Sequence, residues 1–336
     1  MIDIKRGRYV SGVAQLWLDW VHDYFFTIKV GNKQPWLMVA GRRHNFNSYA
    51  EKLFYQLEST IKDYARGNNI ILHRGKVWLR WYKIHFDAVI LASSAQLGNW
   101  GNAMKLRTRQ PKNLIGMVKN VMVPYYEAMV KEHGHELVEE LGIKTCPYCN
   151  RQFIYSFEAN RQERPELDHF YPKASYPMFC LSFYNLIPAC HSCNHVKLED
   201  EIGVNPYRKA LKSKFMVVDT DGNKVSRSKM YKLTEKEIRL KLDGTNAEER
   251  RNVIVLGLED VYSKHGNYVK ELIDKSMAYD SHARRALVDS FQGAGYHPRQ
   301  VYDFVWGRHL SDAEYEDRPL SKLTKDMLDL LGIRRG

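Results

Sequence analysis

This 336-residue chain has no long apolar stretch. Ala88–Met104 is a run without Asp, Glu, Lys or Arg, but it is broken by Ser, Gln, Gly and Asn. Such a run is too short and too polar to cross a bilayer, so no membrane partner is expected. Met1–Leu18 opens with a basic cluster, but its apolar part is short. Asp19 and Asp23 follow with no small-residue cleavage site, so a signal peptide is not expected and a cytoplasmic location is. A P-loop, a Gly-rich phosphate cradle, internal repeats and low-complexity tracts are also missing, which argues against an ATPase or a repeat array in this chain. Cysteine is scarce, with five in all. Acidic residues are the scarcer charge, 39 against 51 Lys+Arg, for a formal net charge of +12. With 44% hydrophobic and 27% charged residues the composition is globular, and the length suits two or three domains.

The basic excess points to a polyanion, nucleic acid foremost. It is unevenly spread: residues 1–145 carry 21 bases and 12 acids, residues 146–210 carry 7 of each, and residues 211–336 carry 23 and 20. Four of the five cysteines form two tight pairs, Cys146-Pro-Tyr-Cys149 and Cys190-His-Ser-Cys193. Thiolates two residues apart on a turn reach a common point, so two such knuckles complete a tetrahedral, structural Zn²⁺ site. Cys180, within Met178-Phe179-Cys180-Leu181, reads as a small buried hydrophobe.

Between and after the knuckles the pattern is strand, strand, helix. Gln152–Phe157 favours a strand, the polar stretch Glu158–Glu166 a loop, and Leu167-Asp168-His169-Phe170 a second strand. Leu181–Pro188 leads into the second knuckle, and the chain from Asn194 is helix-compatible until Gly203 and Pro206. The ordered residues Asp168-His169, Asn185-Leu186 and Cys190-x-x-Cys193-Asn194-x-x-Lys197 resemble the HNH endonucleases, the ββα-metal fold, in the subgroup braced by a four-cysteine zinc. The resemblance covers about 146–206, under a fifth of the chain.

That resemblance implies the roles. Asp168 and Asn194 would ligate one divalent cation, Mg²⁺ or Mn²⁺, which suits hard oxygen donors. His169 would act as general base on the attacking water, and Asn185 would pin the loop presenting it. His195, Lys197 and Lys173 are candidate phosphate contacts, while Asn194 also suits the N-terminal turn of a helix. Four thiolates leave zinc no open position, so the zinc is expected to brace rather than catalyse. DNA is the expected substrate. RNA on the same centre and a non-catalytic zinc-braced binding module remain alternatives. Proteins of this layout look similar to HNH effectors of phage defence that work beside a separate ATPase subunit, so such a subunit is an expected partner.

The fold expected is α+β: a nuclease module at 146–206 between a mainly helical basic region at 1–145 and a hairpin-plus-helix region at 207–336. A helix is expected over Asn47–Arg66, two more over Pro111–Val123 and Tyr125–Glu140 on either side of Pro124, and Lys76–Phe86 fits either a strand or a helix. Lys105, Arg107, Arg109 and Lys112, in a stretch without acids, form the candidate duplex-tracking patch. Phe215–Val225 reads as a hairpin about Asp221-Gly222-Asn223 and Glu235–Leu242 as a strand. Helices are expected over Leu258–Tyr279, Ser281–Gln292, Pro298–Gly307 and Pro319–Leu331.

Overall fold

The computed structural model describes residues 2–4, 8–27, 35–105, 111–157, 163–307 and 312–333. The N-terminal region is helical apart from one hairpin that the sequence pattern did not announce. Helix α1 (Arg8–Phe26) precedes strands β1 (Trp36–Val39) and β2 (Arg42–Asn45), which pair antiparallel. Helix α2 (Tyr49–Ala65) starts where Ser48 accepts from the Glu51 amide and ends at Arg66 and Gly67, both with positive φ. Helices α3 (Asn69–Ile84), α4 (Phe86–Ile90) and α5 (Ser94–Lys105) follow, so the ambiguous Lys76–Phe86 stretch is helical.

Helix α6 (Pro111–Leu141) runs unbroken through Pro124, where two helices were expected. A mid-helix proline costs about 3 kcal/mol. Here Val118 and Met122 before it and Tyr126, Met129 and Leu137 after it are buried in the same core, and that packing outweighs the local penalty.

The central segment also differs from the expected pairing. Gln152–Phe157 forms no strand and makes only isolated bridges, Thr145↔Phe153 and Phe157↔Glu163. Strand β3 (Glu166–His169) pairs instead with β4 (Leu186–Ala189), antiparallel, with Asp168 opposite Ile187 and His169 opposite Leu186. Helix α7 (His191–Lys197) follows at once and packs on β3. The two-strand-plus-helix order is present, but its second strand is Leu186–Ala189, an all-buried run with no polar alternation to mark it.

In the C-terminal region β5 (Lys214–Val218) pairs with β6 (Arg239–Asp243), while the turn at 219–224 returns through only a Val218↔Lys224 bridge. Helix α8 (Arg227–Met230) lies between them. Helices α9 (Ala247–Val255), α10 (Leu258–Ser263), α11 (Gly266–Ala278), α12 (Ser281–Gly293), α13 (Pro298–Trp306) and α14 (Ser321–Leu330) complete the chain, so the expected helix over Leu258–Tyr279 is divided in two.

One hydrophobic core runs from α1 to α14 through the central segment. Polar ties cross both of its borders. Trp17 Nε1 donates to the Leu181 carbonyl at 2.9 Å, Tyr82 Oη to that of Met178 at 3.0 Å, and buried Asn150 donates to Tyr315 and accepts from the Lys322 amide.

Candidate active site and metal centre

The zinc knuckles are built as their spacing requires. The sulfurs of Cys146, Cys149, Cys190 and Cys193 all lie within 4.8 Å of one another and are buried. A tetrahedron with bonds of about 2.3 Å places its sulfurs about 3.8 Å apart, and Cys149 Sγ is 3.9 Å from Cys190 Sγ. Backbone amides of Arg151 and Cys190 point at Cys149 and Cys146 sulfurs, each at 3.4 Å. The first knuckle turns through Asn150 at φ 50, a left-handed position that asparagine tolerates. Burial pushes the Cys146 thiol up, whereas hydrogen bonds from its three neighbours hold Cys149 well down. Four thiols so placed could hold a structural zinc ion. Cys180 lies apart from this cluster, fully buried, its thiol raised to about 12 by burial.

Strand alternation puts Glu166 and Asp168 on one face of β3, towards α7, and His169 on the other. Asp168 is 4% exposed. Its Oδ2 accepts from Tyr148 Oη at 2.6 Å, and both of its oxygens stand 3.2 Å from Lys197 Nζ. Lys197 Nζ also donates to the His169 carbonyl at 2.8 Å. Burial raises the Asp168 carboxyl, against the pull of Lys197. Lys197 thus corrects an expectation: it is 0% exposed and neutralises a buried carboxylate, so its ammonium does not face a phosphate.

His169 is 6% exposed and stands edge-on to Tyr126, ring centroids 4.5 Å apart. Its Nε2 is 3.1 Å from the Cys180 carbonyl. A carbonyl only accepts, so Nε2 carries the proton and Nδ1 keeps its lone pair. Burial, with Lys173 adding to it, lowers its pKa to about 3. Asn185, fully buried, accepts from the Tyr171 amide at 2.7 Å and donates to the Tyr171 and Phe179 carbonyls. It therefore closes the loop between β3 and β4 at both ends.

Asn194 lies not on Asp168 but beside Glu166, whose carboxylate accepts from Asn194 Nδ2 and is 2.8 Å from His191 Nδ1. That bond leaves Asn194 Oδ1 as the amide's remaining ligand atom. Glu166 and Tyr148 are partners that sequence reasoning passed over. Glu166 sits two residues before Asp168, the spacing that shares a strand face, and this was the available signal. For a divalent cation, the donor chemistry fits: a carboxylate and an amide oxygen on the packed elements β3 and α7, with Lys197 as the competing cation.

Of the candidate phosphate contacts, His195 is exposed at the end of α7 and Lys173 lies over the Tyr126 ring at 5.3 Å. Arg107 and Arg109 lie outside the described residues, as do the side chains of Lys105 and Lys112. Among the described residues, no helix is long and apolar enough to cross a membrane. Comparison of the chain with protein-family models, curated proteins and solved structures finds no match.

Proposed function

We propose that this protein is a metal-dependent endonuclease of the HNH class, hydrolysing phosphodiester bonds in DNA. One observation supports this reading above the others. Residues of the pattern, dispersed between 146 and 197, meet on the β3–β4–α7 unit, with Lys197 joined to Asp168 and to the His169 backbone beside four clustered thiols. Asp168 and Asn194 would hold Mg²⁺ or Mn²⁺, which supplies charge stabilisation to the phosphate and the departing oxygen.

The remaining roles belong to the chain. His169 takes the proton of the attacking water on Nδ1, while the Cys180 carbonyl holds Nε2–H and fixes the ring. Its lowered pKa keeps it unprotonated at neutral pH, and the negative charge of a bound phosphate raises its basicity. Asn185 fixes the loop that supplies the Cys180 carbonyl. Zinc on four thiolates has no open position and braces the module.

The near-complete burial of Asp168 and His169 favours a second reading, a zinc-braced binding module without a reaction. Plasmid DNA and RNA incubated with the protein, with Mg²⁺, with Mn²⁺ or with neither, separate the possibilities. The nuclease reading expects cation-dependent cleavage of DNA that His169→Ala reduces roughly 10²–10⁴-fold. Cleavage confined to RNA would change the substrate and keep the centre. No cleavage under any condition would leave the binding module, and undiminished cleavage by His169→Ala would remove the assigned base.

A further inference from the structure

Beside the first zinc knuckle, the extended segment 153–157 alternates strictly between outward and inward positions. Ile154 is buried, and Ser156 is half-buried with its hydroxyl 2.8 Å from His135 Nδ1. The three outward positions are Phe153, Tyr155 and Phe157, exposed by 49%, 55% and 46%. A solvent-facing strand edge ordinarily carries polar side chains there, and aligned exposed rings mark an interaction surface. Phe153 and Tyr155 are stacked on each other, centroids 5.0 Å apart and planes 16° from parallel, so the pair keeps its outer π-faces for a further ring.

We propose that Phe153, Tyr155 and Phe157 form a stacking ladder for the unpaired bases of a single-stranded nucleic acid, which makes single-stranded or locally opened strands the substrate class. The inference rests on the nuclease reading and deepens it. Three features select this occupant. Every outward residue offers a π-face rather than an aliphatic one, and every base has a π-face to match. Alternate residues of an extended backbone are about 6.6 Å apart, a spacing that consecutive nucleotides of one strand can follow. A duplex keeps its bases stacked inside and offers these rings nothing to stack on.

Position supports the same occupant. The Phe157↔Glu163 bridge sets the end of the ladder beside a residue that closely precedes β3, the strand of Asp168 and His169. The chain thus passes within a few residues of that bridge from the ladder to the candidate active site.

The test is fluorescence anisotropy with labelled dT15, labelled U15 and a 15-base-pair DNA duplex, without added divalent cation. Zinc content and circular dichroism serve as fold controls. Phe153→Ala and Tyr155→Ala should each weaken single-strand binding about tenfold or more and leave duplex binding unchanged. Tyr155→Trp should retain affinity, whereas Tyr155→Leu, which keeps apolar area but loses the ring, should behave like alanine. Relative affinity for dT15 and U15 assigns the strand to DNA or RNA. Wild-type affinity in the leucine variant, or equal losses for strand and duplex, overturns the ladder. A wild-type protein that cleaves nucleic acid while the ladder variants bind normally overturns the ladder alone. Ladder-dependent binding with no cleavage under any metal condition overturns the nuclease reading instead.

Discussion

At the scale of single residues, the centre depends on a charge that never meets solvent. Lys197 and Asp168 are a buried ion pair to which Tyr148 adds a hydrogen bond and the His169 carbonyl a fourth member. Removing one partner of such a pair leaves the other charged, desolvated and alone, at a cost of about 3–5 kcal/mol. Lys197→Met should therefore destabilise the protein by about that amount in urea unfolding. The double variant Asp168→Asn/Lys197→Met should recover part of the loss, because no unpaired charge remains. A cost below about 0.5 kcal/mol for Lys197→Met, the range of an ordinary surface substitution, would show that the pair does not persist in solution. Sequence spacing put Lys197 one turn after Asn194 and hence near the site. It could not show which way the ammonium points, because a lysine on a helix face is nearly always solvated and only the packing of α7 on β3 buries this one. Asp168, His169 and Asn185 were legible from their order. Tyr148 was not, because a phenol acquires its role only from what stands opposite, and Glu166 was marked only by its spacing from Asp168.

At the scale of elements, the cysteine spacing was the clearest signal and the strand pairing the least. A C-x2-C pair encodes its own turn, so the cluster of four thiols follows from local geometry. The partner of β3 does not: Gln152–Phe157 has the stronger β-propensity, but its outward aromatics leave only Ile154 buried, while Leu186–Ala189 is buried throughout and wins the pairing. The unbroken α6 teaches the same lesson, since tertiary burial on both sides of Pro124 overrides the local breaker. The knuckles also anchor elements from distant parts of the chain. The Ile2 amide donates to the Pro147 carbonyl at 2.9 Å, and Tyr262 Oη donates to that of Cys149. Zinc in modules of this kind supplies roughly 10–16 kcal/mol of apparent binding free energy. Cys149→Ser, or chelation of zinc from the wild type, should therefore disorder β3, β4 and α7 and loosen the contacts of α14. Hydrogen exchange should report lost protection at the Asn150–Lys322 junction as well as at β3. Intact protection at β3 in a zinc-free protein would show that the surrounding core alone holds the module.

At the scale of the whole molecule, the continuous core makes local chemistry a term in global stability, and His169 gives that link a measurable sign. Burial first, then the Lys173 charge, lowers its folded pKa to about 3, against an ordinary value near 6.5 in the unfolded chain. Between those values the unfolded chain binds a proton that the folded chain refuses. The contribution is fully present above pH 6.5 and is lost progressively as the pH falls towards 3. At pH 5 the expected loss from this residue is about 2 kcal/mol relative to pH 7. Asp168 has the opposite sign: burial raises its carboxyl, so the folded chain holds that proton more readily than the unfolded one. Urea unfolding at pH 7 and pH 5 should therefore be compared between the wild type and His169→Gln, which keeps Asp168, the zinc thiols and every other titrating group in common. The wild type should lose about 2 kcal/mol more than the variant over that interval. Equal losses in the two proteins would mean that His169 is open to water in solution.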